Sequence, residues 1–297
     1  MSTGRADGMA DAHGGGDSNT KVPPLDPGSG VPVGRSAGFL TERRGGTVFV
    51  TLNRPDKLNA LDWSLRLGLE QLWAELATDP TLRCVVLTGR GRGFCAGADV
   101  ADLASDRRPH GGAVHRELAF VPGWQLAVPV VVGVNGVCAG GGLHFVADAD
   151  LVVAATSATF VDPHVDMGQV SGIEPASLAL RVPMGMLSRL VLLGRSGRMD
   201  AASALSAGLV GEVVADDRLP ARLADMAAAI ESLSPTAVAR SRQVLRELER
   251  NLLSDAMQRG WEAVQAHWAH PDATEGPLAF SEGRAPVWEQ RDPGSID

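Results

Sequence analysis

Two glycine-bearing turns in this chain would each leave backbone amides uncovered, and one of them runs straight into a histidine. Gly140-Gly141-Gly142 follows the apolar run Val128 to Cys138 and leads into Leu143 and His144. Glycine turns of this kind let N–H groups face a ligand, because no Cβ stands in the way. The second turn, Phe94-Cys95-Ala96-Gly97-Ala98-Asp99, follows the strand-like stretch Cys84 to Thr88. Two amides converging on one oxygen make an oxyanion hole, suited to a carbonyl that gains negative charge during reaction.

Other reactive side chains point to less. His267 and His270 stand three apart on an expected helix, but no third ligand is spaced to complete a metal site, so none is predicted. Ser203, Ser206 and the three cysteines, Cys84, Cys95 and Cys138, lack partners for a covalent nucleophile. The cysteines are odd in number, have no CxxC spacing and lie in or beside apolar strands, which reads as reduced core residues. A net charge of −8 argues against nucleic acid as a partner. No apolar stretch reaches the length of a bilayer span, and the N-terminus lacks the apolar core of a signal peptide, so a cytoplasmic protein with no membrane partner is expected.

The elements that must position these turns follow from periodicity. Residues 1–38 are rich in Gly, Ser, Asp and Pro and are expected to be a disordered tail. Thr47 to Leu52 alternates as a strand, Asn53-Arg54-Pro55-Asp56 turns, and Asp62 is placed to cap a helix bearing Leu65, Leu69, Leu72 and Leu76 on one face. Strands at Cys84 to Thr88, Val130 to Asn135 and Leu151 to Ala154 then alternate with a helix from Asp99 through Phe120 and a short helix after the glycines. That alternation predicts an α/β fold. Beyond Pro183 only Leu209 to Val214 reads as a strand, and Ala221 to Leu233 and Thr236 to His270 carry helical spacing. Neither GxGxxG nor GxxxxGK[ST] is present, which removes support for Rossmann and P-loop nucleotide binding.

Asn53-Arg54-Pro55, Leu58-Asn59-Ala60-Leu61, Val86-Leu87-Thr88-Gly89, Phe94 to Asp99, Val134-Asn135-Gly136 and Gly140-Gly141-Gly142 occur in an order and spacing that resembles the crotonase (enoyl-CoA hydratase/isomerase) superfamily. The resemblance extends through Gly208-Leu209-Val210 to Glu275-Gly276 and Arg284. It implies a ClpP-like spiral of ββα units over residues 39–215 and a helical trimerisation region over 216–297. It also implies a homotrimer or dimer of trimers acting on an acyl-CoA thioester, with coenzyme A as part of the substrate and no separate cofactor.

By the same resemblance, the amides of Ala98 and Gly141 hold the thioester oxygen. Coenzyme A is expected near Arg54, Lys57, Leu58 and Ala60 and near Ala96, Asp99 and Val100, with Gly140 in the same turn and Arg284 reaching a phosphate. The departure from the family lies in its acid/base pair. Two positions that hold glutamate in its hydratases hold His144 and His164 here, the latter within Phe160-Val161-Asp162-Pro163-His164. Two imidazoles can divide the work of base and acid near neutral pH. Glu174, after Ser171-Gly172-Ile173, is a substitute carboxylate near the acyl pocket, and Asp162 and Asp166 flank His164 as orienting groups. Asp148 and Asp150 read as structural acids. Three functions stay open: hydration or isomerisation of an enoyl-CoA through the histidines, decarboxylation of a malonyl-type CoA, and acyl-CoA binding without catalysis.

Overall fold

The computed structural model describes residues 38–103 and 112–290. All but the last residue of the expected tail over 1–38, and all but the last residue of the Arg107 to Gly112 segment, lie outside those residues. The chain opens with the hairpin β1 (Phe39–Arg44) and β2 (Thr47–Leu52), then α1 (Trp63–Ala77), β3 (Cys84–Gly89) and β4 (Gly93–Cys95). The short helices α2 (Val100–Leu103) and α3 (Val114–Glu117) follow, then β5 (Val130–Val134), β6 (Val137–Ala139), α4 (Gly142–Asp148), β7 (Leu151–Ala155) and β8 (Thr159–Val161). After α5 (Ile173–Leu178) and α6 (Met184–Leu192) come β9 (Met199–Asp200), α7 (Ala201–Ser206) and β10 (Glu212–Val214). The helices α8 (Leu219–Glu231), α9 (Pro235–His267) and α10 (Asp272–Glu282) complete the described chain.

The strands form two sheets. The larger runs β1-β2-β3-β5-β7-β10, parallel except for the first pair, and the smaller runs β4-β6-β8-β9. In the pairs β3–β4, β5–β6 and β7–β8 the chain adds one strand to the large sheet and a short one to the small sheet, and then crosses back through helices. This is the spiral of ββα units that the sequence motifs imply. The strands of the large sheet are covered on both faces, which is why β5 is an unbroken apolar run, Val-Val-Val-Gly-Val, buried throughout. One face packs on α1 and the main core. The other face, Phe49, Val86, Val131 and Val153, packs on Leu219, Leu223 and Ala227 of α8.

Local expectations hold where side chain and backbone are neighbours in sequence. Asp62 caps α1 by accepting from the Leu65 N–H at 2.7 Å, and Leu65, Leu69, Leu72 and Leu76 are buried. All three cysteines are free and buried, and burial pushes the Cys84 and Cys95 thiols up to about 12. The single helix expected from Asp99 through Phe120 is corrected. The described residues carry only α2 and α3 there, and Leu118 to Phe120 form a turn. Gly112 and Ala113, ahead of α3, are outside any helix, as a glycine's low helix propensity favours. The helix expected to run to His270 stops at His267, and α10 begins separately after Pro271. The two-residue β9, paired antiparallel with β8, is too short to leave a periodic signal.

Candidate active site

The two glycine turns meet. β4 and β6 are parallel neighbours in the small sheet, so the loops leaving their C-terminal ends emerge side by side. Gly97 adopts φ +87°, and a Cβ built on it would lie 2.8 Å from the Ala139 carbonyl oxygen and 3.2 Å from the Gly141 nitrogen. Only glycine permits both that backbone and that approach. The consequence is that the amides of Ala98 and Gly141 stand close together. Among the described residues neither donates to a protein acceptor.

The segment Arg54 to Asp62 is stitched along the rim of this pair. Leu61 N–H donates to Gly97 O at 2.7 Å, Asp99 N–H to Leu61 O at 3.0 Å, and Ala96 N–H to Leu58 O at 3.0 Å. Leu58 and Asn59 hold positive φ, with the Asn59 side chain donating to Gly93 O at 2.8 Å and to Arg90 O at 3.0 Å. Thus the Lys57–Leu61 turn is joined by backbone hydrogen bonds to the Ala96–Asp99 loop, with Val100 next in the chain. Arg54 is used differently. Its guanidinium lies 3.0 Å from both Asp62 Oδ2 and Asp99 Oδ2 and donates to the Ala60 carbonyl, so it is a clamp across the rim. Accordingly Arg54→Gln should lower stability by roughly 1–3 kcal/mol in urea denaturation, since it leaves partly buried acceptors without their donor. A rise in acyl-CoA KM with unchanged stability is the outcome that contradicts the clamp. Arg284 is likewise engaged elsewhere, paired with Glu275 at 2.5 and 2.8 Å and with Glu282 at 2.5 Å.

Behind the amides lies a buried acid/base cluster. His144 projects from the first turn of α4, and His164 follows β8. A Cβ on Gly140 would be 3.6 Å from His164 Cε1, so this ring sits against the glycine turn. Between the two histidines stands Glu174 of α5. Its Oε1 lies 3.0 Å from His144 Nε2 and 3.5 Å from His164 Nε2. Gly172 makes this possible, because its backbone packs directly on Gly260 of α9, with a built Cβ only 2.2 Å from Gly260 O. Asp162, fully buried, lies 2.5 Å from His164 Nδ1.

Charge follows from this geometry. Burial works against an imidazolium at His164, but the carboxylates of Glu174 and Asp162 outweigh it and raise the pKa to about 9. Burial equally works against a Glu174 carboxylate, and the facing imidazoles of His164 and His144 overcome it, holding this carboxyl below its usual range. The site therefore pairs a protonated donor with an ionised acceptor at neutral pH.

The other flanking acid is corrected. Asp166 turns away from His164 and accepts from Arg195 N–H at 2.6 Å, because a short 3₁₀ turn over Val165–Met167 swings it outward. His267 and His270 stack at 5.1 Å, with His267 Nε2 at 2.8 Å from Gly168 O, and no group of three metal-binding side chains occurs among the described residues. Two residues had no sequence signal. Ser171 donates to Asp162 Oδ2 at 2.5 Å, and Phe120 meets the His144 ring edge-on at 6.1 Å. Phe120 also forms one wall of a cavity of about 230 Å³ shared with Trp63, Leu67 and Trp261. Arg66, paired with Glu117, lies 4.8 Å over the same ring.

A spiral of two stacked sheets whose crossing loops bring two bare amides beside a buried acid/base cluster defines the crotonase class of fold. The chain belongs to the enoyl-CoA hydratase/isomerase family, whose sequence profile matches residues 42–291. It is 33% identical over 260 residues to enoyl-CoA hydratase EchA19 of Mycobacterium tuberculosis, covering 85% of this chain and 96% of that one. It is 31% identical over 265 residues to carnitinyl-CoA dehydratase of Escherichia coli, covering 84% and 97%. Among solved structures, EchA1_1 from Mycobacterium paratuberculosis superposes with a TM-score of 0.76 at 32% identity, covering 86% of this chain and all of the other.

Proposed function

We propose that the protein adds water across, or removes it from, the α,β double bond of an acyl-CoA thioester, with Glu174 as base and His164 as acid. The observation that carries this reading is the single carboxylate oxygen of Glu174 set between two imidazoles. In the hydration direction the thioester carbonyl oxygen accepts from the Ala98 and Gly141 amides. Glu174 takes a proton from water as its oxygen bonds to the β-carbon. The enolate that forms is held by the two amides, a type of stabilisation worth about 3–4 kcal/mol per donor. The His164 Nε2 proton is delivered to the α-carbon. With Glu174 only 3.5 Å from that nitrogen, the proton it gained passes back to His164 and resets the site. His144 donates from Nε2 to Glu174 and keeps the carboxylate aimed.

This assignment restores a carboxylate that the two family positions lack. A buried anion beside the reacting carbons repels a malonyl-type carboxylate, so decarboxylation loses support. The enoyl-CoA hydratase and carnitinyl-CoA dehydratase names among the relatives favour the same chemistry. Lys57, exposed on the rim, suits a coenzyme A phosphate. The aromatic cavity beyond Phe120 suits the acyl group. The exposed stripe Val244, Leu248 and Leu252 on α9 supports self-association into a trimer or dimer of trimers. No described helix is long and apolar enough to cross a membrane.

The test is incubation with crotonyl-CoA, longer 2-enoyl-CoAs, 3-hydroxyacyl-CoAs and methylmalonyl-CoA, read by mass spectrometry. Gain or loss of one water supports the proposal. Loss of carbon dioxide, or binding with no conversion, overturns it. The pH profile follows with its sign: His164 must be protonated to act, so turnover stays level through neutrality and falls as pH rises through about 9. Because the facing imidazoles hold the Glu174 carboxyl at about 2, the acid limb lies far below neutrality.

A further inference from the structure

We infer that Asp162, itself held by Ser171, is the positioning residue that fixes the tautomer and orientation of His164 for proton delivery. The hold has two points. The same Asp162 Oδ1 accepts from the His164 backbone N–H at 3.1 Å and lies 2.5 Å from ring Nδ1, so the ring is held by an oxygen that is itself fixed to the His164 main chain, and a rotated ring loses that contact. The second oxygen, Oδ2, accepts from Ser171 Oγ at 2.5 Å, across the gap between the β8 loop and the segment leading into α5. An ionised carboxylate only accepts, so Nδ1 must carry a proton, and Nε2 is left to face Glu174 and the substrate.

The surrounding groups do not offer a competing anchor. Glu174 meets the opposite nitrogen, with His144 beyond it. Asp166 is turned to the Arg195 N–H, and His267 is engaged by Gly168 O. Because Ser171 lies just ahead of α5, the same contact ties the position of His164 to the helix that carries Glu174. Acid and base are thereby set relative to each other. This inference rests on the reading of His164 as proton donor for its kinetic consequence, but the ring's protonation can be observed without turnover.

The experiment is a side-chain ¹⁵N NMR titration of histidine-labelled protein, for the parent chain, Asp162→Asn and Ser171→Ala, beside the pH dependence of kcat and KM on the active enoyl-CoA. In the parent, His164 Nδ1 should remain protonated through neutral pH. Asp162→Asn should move the His164 midpoint down by about 1–2 pH units, with the alkaline limb of kcat moving by the same amount. KM should change less than about threefold, since the thioester amides are untouched. Ser171→Ala should give the same change at smaller size, and it decides the matter if Asp162→Asn does not fold. An unmoved His164 midpoint in the folded variants overturns the inference, as does a kcat that falls equally at every pH. If the midpoint moves but the parent shows no turnover, the positioning role stands and the hydratase reading fails.

Discussion

Glu174→Gln should reduce turnover of an enoyl-CoA by about 10²–10⁴-fold, the range expected when a positioned general base is removed. The amide keeps the shape of the side chain and can still meet His144, whose Nε2 stands 3.0 Å from the same oxygen. What disappears is the proton acceptor, together with the negative charge that helps to hold His164 protonated. Two readouts should therefore change together. The rate at neutral pH falls, and what activity remains declines at lower pH than in the parent. Acyl-CoA affinity measured by calorimetry should stay within a few-fold, because the Ala98 and Gly141 amides belong to backbone that the substitution does not touch. A rate within tenfold of the parent would falsify the assignment of Glu174 as base.

Arg242→Ala should cost about 3–5 kcal/mol of stability, the loss expected when one member of a buried ion pair is deleted. Its side chain is 7% exposed, and its Nε donates to Asp150 at 2.8 Å while the two terminal nitrogens donate to Leu126 O at 2.5 Å and Gly123 O at 3.0 Å. Gly123 and Leu126 lie in the segment before β5, while Asp150 immediately precedes β7 and also accepts from Val130 N–H at 2.7 Å. One guanidinium thus fastens α9 to the spiral core. Removing it leaves the Leu126 and Gly123 carbonyls without their donor and takes one cation from Asp150, which keeps Val130 N–H and Arg246. Arg246 cannot replace it, being committed to Asp148 O, to Asp150 at 3.2 Å and to Glu249 at 2.8 Å. Urea denaturation of the variant measures the loss, and a change under about 1 kcal/mol contradicts the fastening role.

The chain's own order of residues was sufficient for the parts of this protein that depend on near neighbours. The glycines at 97 and 140 take positive φ because no other residue does so without strain, and the apolar runs that precede them can only be covered strands. Those two facts made each turn legible as a place where bare amides could converge, while the choice of Ala98 and Gly141 as the pair came from the family resemblance. The Asp62 cap and the leucine face of α1 were legible for the same reason, since each contact spans one turn of helix.

The acid/base cluster was legible only in part. His144 and His164 were placed by matching a family pattern, and Glu174 was one of several acids that a docked α5 could have turned inward or outward. Its burial between the two imidazoles depends on the Gly172–Gly260 contact, which sets how closely α5 lies on α9. No spacing in the sequence states that distance. The charges on Arg54 and Arg284 show the same limit: a cation read alone looks free for a phosphate, yet tertiary packing brings acids from distant turns to meet it. Asp162 and Asp166 look equivalent beside His164, and a single 3₁₀ turn sends one to the ring and the other to Arg195. Backbone conformation is decided by local sterics, which sequence carries directly. Partner choice among buried charges is decided by how elements dock, and there only the tertiary structure holds the answer.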